Sequence, residues 1–198
     1  GLLPKCSAAI GVSDDVILNT IISDANFRIW DMSIRGFARE RVFTYSLLGA
    51  GVPIAPPAQL RTLRADKADH GVVTPNGPRF LQMKGVSTNN CDFSLSDPLI
   101  ATETQLTRGR VNDHPTQSRL YLRSDFDYLV LALDPPIASL CLSASGGQPT
   151  LSWEFYMIPT GSLRSHGRLN HRLASLQSFT YSELQSFKVN SFANIKFK

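Results

Sequence analysis

Apolar and polar positions alternate with a period of two over several short stretches of this chain, as expected where successive side chains point to opposite faces of a strand. The clearest stretch is 151–158, where Leu151, Trp153, Phe155 and Met157 share one face and Ser152, Glu154, Tyr156 and Ile158 share the other. The first face reads as core, and the second is mixed. Pro159 cannot donate to a ladder and ends the strand. Upstream, 137–144 reads as an antiparallel partner, joined to it through the Gly- and Pro-bearing segment 145–150. The same pattern predicts strands near 27–35 (Trp30, Met32 and Ile34 against Asp31 and Ser33), 41–48, 79–85, 91–95 and 100–106. Two more follow, around Leu120 and Leu122 and around Phe126, Tyr128 and Val130.

Helical signals are fewer. Ser13 stands as an N-cap before Asp14 and Asp15, which favours a short helix over 14–23, although the β-branched residues there leave a strand open. Pro56 and Pro57 open a second candidate carrying Leu60, Leu63, Arg61, Arg64 and Lys67, with Gly71 at its C-terminal end. Pro75, Asn76, Gly77 and Pro78 form a turn between apolar segments. Residues 86–118 are polar and loop-rich. Residues 164–198 lack a sustained period, yet Phe179, Tyr181, Phe187, Phe192 and Phe197 make them too aromatic for a disordered tail. No repeat and no low-complexity tract occurs.

Length and composition change this picture little. The chain has 198 residues, 42% of them hydrophobic, enough for one domain with a sizeable core. The charge of +4 comes from 20 Lys and Arg spread without a block, so a dedicated basic arm is missing. Arg28, Arg35, Arg39 and Arg41 among Phe27, Trp30, Phe37 and Phe43 would suit a single strand of nucleic acid, or a strand with a solvated basic face. No apolar run is long enough for a membrane span. The chain starts at Gly1 rather than Met, which suits release from a precursor or an excised piece.

Candidate chemistry is sparse. Cys6, Cys91 and Cys141 are odd in number and lack CxxC spacing, so buried thiols are the expectation. Ser145 beside Gly146 and Gly147 reads as a turn, not a nucleophile elbow. Cys141 with His70, His114, His166 or His171 would be a thiolate pair only if the thiol escaped its apolar run. Asp113 beside His114, and His166 five residues before His171, read as solvated loops rather than metal ligands. No catalytic, metal or cofactor residue is expected on these grounds.

Residues 120–163 resemble the end of the jelly-roll capsid proteins of picorna-like small RNA viruses. Leu140, Cys141, Leu142, Ser143, Ala144, Ser145 and Gly146 match the strand and turn of that family, and Leu151, Trp153, Phe155, Tyr156 and Pro159 match the aromatic strand and its proline-bearing end. The acidic residue frequent in that turn is replaced by Gln148, Pro149 and Thr150. The resemblance implies an all-β, eight-stranded antiparallel jelly-roll sandwich over 27–163, with one or two short helices, an N-terminal arm over 1–26 and a C-terminal arm over 164–198. It implies a structural capsid subunit, not an enzyme, cut from a polyprotein and assembled with like and related subunits into an icosahedral virion in the host cytoplasm, with weak non-specific contact to genomic RNA. Glu154, Tyr156, Phe179, Tyr181, Phe187, Phe192 and Phe197 would then be subunit-interface candidates. The alternative is a non-viral β-sandwich binding module, lectin- or receptor-like, using the loops of 86–118.

Overall fold

The computed structural model describes residues 11, 13–55, 68–106, 114, 118–195 and 197. The chain divides into two units, Gly1–Arg41 and Val42–Lys198. Helix α1 (Asp14–Ile22) starts where the sequence places it: the Ser13 side chain accepts the Val16 N–H at 3.3 Å, with Asp14 and Asp15 in the first turn. Helix α2 (Asp24–Gly49) replaces the two strands expected near 27–35 and 41–48. Alternation over a few residues there is local. In the second unit, Phe43 and Leu47 stand four apart, on one helical face, and are fully buried.

Eight strands form two sheets. The first takes β1 (Ile54–Ala55), β2 (His70–Thr74), β3 (Gly77–Gly85), β6 (Tyr128–Leu133) and β7 (Glu154–Pro159), in that spatial order. The second takes β4 (Cys91–Asp92), β5 (Leu99–Glu103) and β8 (Leu176–Thr180). The β2–β3 hairpin turns at Pro75 and Asn76 as expected, with Thr74 opposite Gly77, whose φ of 100° demands glycine. An antiparallel arrangement throughout is corrected: β3 and β6 run parallel, so the larger sheet is mixed, with β2 and β7 opposed to the other three strands. The chain between β3 and β6 carries β4 and β5, giving the length a parallel crossover needs.

A second correction concerns 137–144, which lies in helix α3 (Pro135–Ala144), not in a strand; β7 pairs instead with β6. Asp134 caps α3 through Oδ1, which accepts the Ile137 N–H at 3.1 Å, and two prolines occupy the first turn, where no N–H is needed. Ser145 and Gly146 (φ 79°) close the helix. Gly71, expected at a helix end, lies inside β2, while 56–67 of that expected helix, the arm at 1–10 with Cys6, and most of 107–117 lie outside the described residues.

Both faces of the larger sheet are covered. Leu129, Leu131, Leu133, Tyr156 and Ile158 pack with Ile137, Ala138 and Cys141 of α3 and with Ile100, Phe179 and Leu184. Tyr128, Val130, Ala132, Phe155 and Met157 pack with Phe43 and Leu47, against which Val189, Phe192, Ile195 and Phe197 are laid. This is why β6 is buried at every position. It also corrects the expected polarity of β7, whose two faces are both interior, while Leu151, assigned to its core face, precedes the strand and is 96% exposed. Residues 164–198, expected as an arm, supply β8 and the capped helix α4 (Tyr181–Gln185) to the second unit.

Candidate functional site

The expected interface residues are placed within the chain. Glu154 lies in β7, and its carboxylate accepts from the hydroxyls of Tyr156 and Tyr181 (3.1 Å) and from Lys188 Nζ. Gln185 Nε2 in turn donates to the Tyr156 hydroxyl at 3.4 Å. This network ties β7 to α4 and the segment after it. Burial and the neighbouring Glu154 charge push the Tyr181 phenol up to about 12, and the Tyr156 phenol rises further, through burial first and its hydrogen bond to Glu154 next. Phe179 is buried, and Phe187, Phe192 and Phe197 are laid against the two cores.

Cys141 is fully buried in α3, and burial pushes its thiol up to about 12. Cys91 is half-buried and pushed up to about 11 by the same cause. Neither thiol is activated for nucleophilic work. Folded protein at pH 8 is therefore expected to leave Cys141 unlabelled by iodoacetamide over hours, and to label it once unfolded in guanidinium, as read by peptide mass spectrometry. Ser145 donates its hydroxyl back to the Cys141 carbonyl at 2.9 Å, in keeping with the turn reading. His166 Nδ1 accepts the backbone N–H groups of Arg168 and Leu169, which shapes a loop. Among the described residues no group of three His, Cys, Asp or Glu side chains could hold a metal by itself.

A different cluster forms at the β2–β3 hairpin. Asp69 directly precedes β2, and its N–H donates to the Leu81 carbonyl at 2.9 Å, extending the ladder by one residue. Its Oδ2 accepts the Met83 backbone N–H at 2.8 Å and the Gln82 side-chain N–H at 2.6 Å. Backbone and side chain of Asp69 are thus both fixed to β3. Gln82 and Lys84 stand two apart on β3, on one face of the sheet. Gln82 is 3% exposed, and its Oε1 is buried without a hydrogen-bond partner. An amide oxygen left unsatisfied costs about 1–3 kcal/mol.

Lys84 Nζ donates to the Gln105 carbonyl at 3.3 Å and lies 5.5 Å from the centroid of the Tyr121 ring. The Tyr121 phenol is raised by burial and then by the charges of Asp69 and Asp125, which sets all three groups in one electrostatic neighbourhood. His70, next along β2, packs its ring 5.8 Å from that of Phe43, and desolvation lowers its pKa against the opposing pull of Asp69. A carboxylate and a buried side-chain amide meet here. Oxygen donors of this kind suit a small hard cation of the magnesium class, which takes one or two protein carboxylates and completes its shell with water and substrate oxygen.

Comparison of the chain with protein-family models, with curated proteins and with solved structures found no match in any of the three. A cleft of about 500 Å³ lies elsewhere, lined by Tyr128, Met157, Pro159, Lys188 and Asn194 among others, and none of Asp69, Gln82, Lys84 or Tyr121 borders it. No described helix is long and apolar enough to cross a membrane.

Proposed function

We propose that this chain hydrolyses phosphodiester bonds in nucleic acid, assisted by a divalent cation held by Asp69 and Gln82. The observation that carries this reading is the buried, unpartnered Oε1 of Gln82 beside a carboxylate that is itself locked in place. Bound there, a divalent cation supplies Lewis acidity toward a phosphoryl oxygen. Asp69 would contribute the negative charge that such an ion requires, and Gln82 an amide oxygen. A net charge of +4 favours a polyanionic substrate.

The test is incubation of the purified chain with supercoiled plasmid, single-stranded DNA and RNA, with Mg²⁺ or Mn²⁺ and with EDTA. Cleavage that requires the cation and stops with EDTA is expected. Absence of cleavage on every substrate, together with no Mn²⁺ binding by calorimetry, would overturn the reading.

A second reading is assembly, as in the jelly-roll capsid subunits that residues 120–163 resemble. It has one observation in its favour: α2 exposes Tyr45 (65%) and Leu48 (54%) in the second unit, and Met32, Ile34 and Phe37 in the first, apolar side chains that association would cover. Native mass by light scattering separates the two. Uniform shells favour assembly, and a small particle that cleaves nucleic acid favours hydrolysis.

A further inference from the structure

We infer that the cleft beside β7 binds a nucleobase: its apolar walls take the faces of a neutral planar heterocycle, and Asn190, Ser191 and Asn194 meet its hydrogen-bonding edge. The inference stands apart from the phosphodiester-hydrolase reading, since the cleft and the Asp69–Gln82 pair share no residue. Charge decides the first part of the ligand's chemistry. Among the described residues that line the cleft, Lys188 is the one that carries a charge, and its ammonium is given to the Glu154 carboxylate. An ionised ligand would leave water for a place without a counter-charge, a cost that a neutral one does not meet.

The walls and the rim decide the rest. Tyr128 and Phe187 bring rings to the cleft, and Met157 brings a polarisable thioether of the kind that is attracted to aromatic rings. At the rim, Asn190, Ser191 and Asn194 are exposed, and Ser191 starts the single turn Phe192–Asn194 without spending its hydroxyl on a cap. A primary amide shows a donor and an acceptor side by side, the same pattern that the edge of an unstacked base shows. An aliphatic ligand would suit the walls and leave this rim unused, and a sugar would suit the rim but offer the walls little apolar face. The backbone that carries the rim is tied to β7: Met157 N–H donates to the Phe187 carbonyl at 2.9 Å, and Val189 N–H to the Phe155 carbonyl at 2.8 Å. Further along, the Phe192 ring packs on those of Phe43 (5.5 Å) and Phe155 (5.9 Å).

The experiment uses the full chain with adenosine, guanosine, cytidine and uridine as probes, read by saturation-transfer NMR and calorimetry, with ribose and hexanol as controls. Saturation is expected to reach the base protons more than the sugar protons. The Asn190→Ala/Asn194→Ala double variant, altered at two exposed positions, should keep its circular dichroism and weaken binding roughly tenfold. Ser191→Trp, which fills the mouth of the cleft from an exposed position, should abolish it. A single-stranded oligonucleotide and its abasic counterpart then separate two sources of the same chemistry: displacement of the nucleoside by the base-bearing strand alone assigns the cleft to a base presented by a strand, and displacement by neither assigns it to a free nucleoside. No nucleoside binding at millimolar concentration would overturn the inference, as would equal binding of ribose or hexanol, or unchanged affinity in both variants. If the chain cleaves no nucleic acid but binds nucleosides as described, the hydrolase reading alone fails.

Discussion

Asp69→Asn is expected to lower cation-dependent cleavage by more than about a hundredfold, because a variant of the same shape cannot supply the charge on which a hard cation depends. The asparagine oxygen can still accept the Met83 N–H that Asp69 Oδ2 takes at 2.8 Å, so the hairpin stays formed. Exchanging a charged acceptor for a neutral one should cost about 1 kcal/mol, or a fall in Tm of roughly 2–4 °C. The measurements are plasmid cleavage, Mn²⁺ affinity by calorimetry, and a thermal melt. Undiminished cleavage by this variant would remove Asp69 from the chemistry. Gln82→Leu gives the complementary result. It deletes both the buried oxygen and the amide that donates to Asp69, so loss of cleavage and weaker Mn²⁺ binding are expected, and undiminished cleavage would remove Gln82 from the site.

Phe43→Ala is expected to destabilise the second unit by about 3–5 kcal/mol. Phe43 is fully buried, and its ring meets those of His70 (5.8 Å), Phe155 (5.2 Å) and Phe192 (5.5 Å). Its removal leaves a cavity between the end of α2, the larger sheet and the C-terminal segment. Tm should fall by on the order of 10 °C, and chemical denaturation should give the same loss with an unchanged slope. A loss below about 1 kcal/mol would mean that the helix does not anchor this face of the sheet. Because Phe43 also packs on His70, beside Asp69, the variant should lose some cleavage even where it remains folded.

Local signals were legible wherever one short segment carries the whole cause. The Ser13 cap, the two-residue turn before Gly77 and the end of β7 at Pro159 need only their own neighbours. Asp134, two prolines and a late Gly146 are as clear a set of helix boundaries as a chain can carry, but the apolar run between them fits a buried strand equally, and the Gly- and Pro-bearing segment after it fits a hairpin connection. In α2, the alternation of Met32 and Ile34 with polar residues suggested a core-facing strand, yet both side chains are exposed. The helical spacing of Phe43 and Leu47 carried the better signal.

The candidate site was half legible. The chain itself shows an acid, an apolar pair, a Pro-Asn-Gly turn and then Gln-Met-Lys, and a period of two puts Gln82 and Lys84 on one face. Counting back across the turn would have brought Asp69 level with them, since His70 stands opposite Leu81. What the sequence determined by itself is the set of local devices: caps, turns, strand ends and a core-forming apolar content. Only the tertiary structure decided that β3 lies parallel to β6, that both faces of β7 are interior, that Glu154 is met by Tyr181 and Lys188, and that Tyr121 comes to rest on Lys84. The reason is physical: a cap or a turn is settled by contacts a few residues apart, whereas the burial of a face and the partner of a charge depend on segments that meet only when the whole core closes.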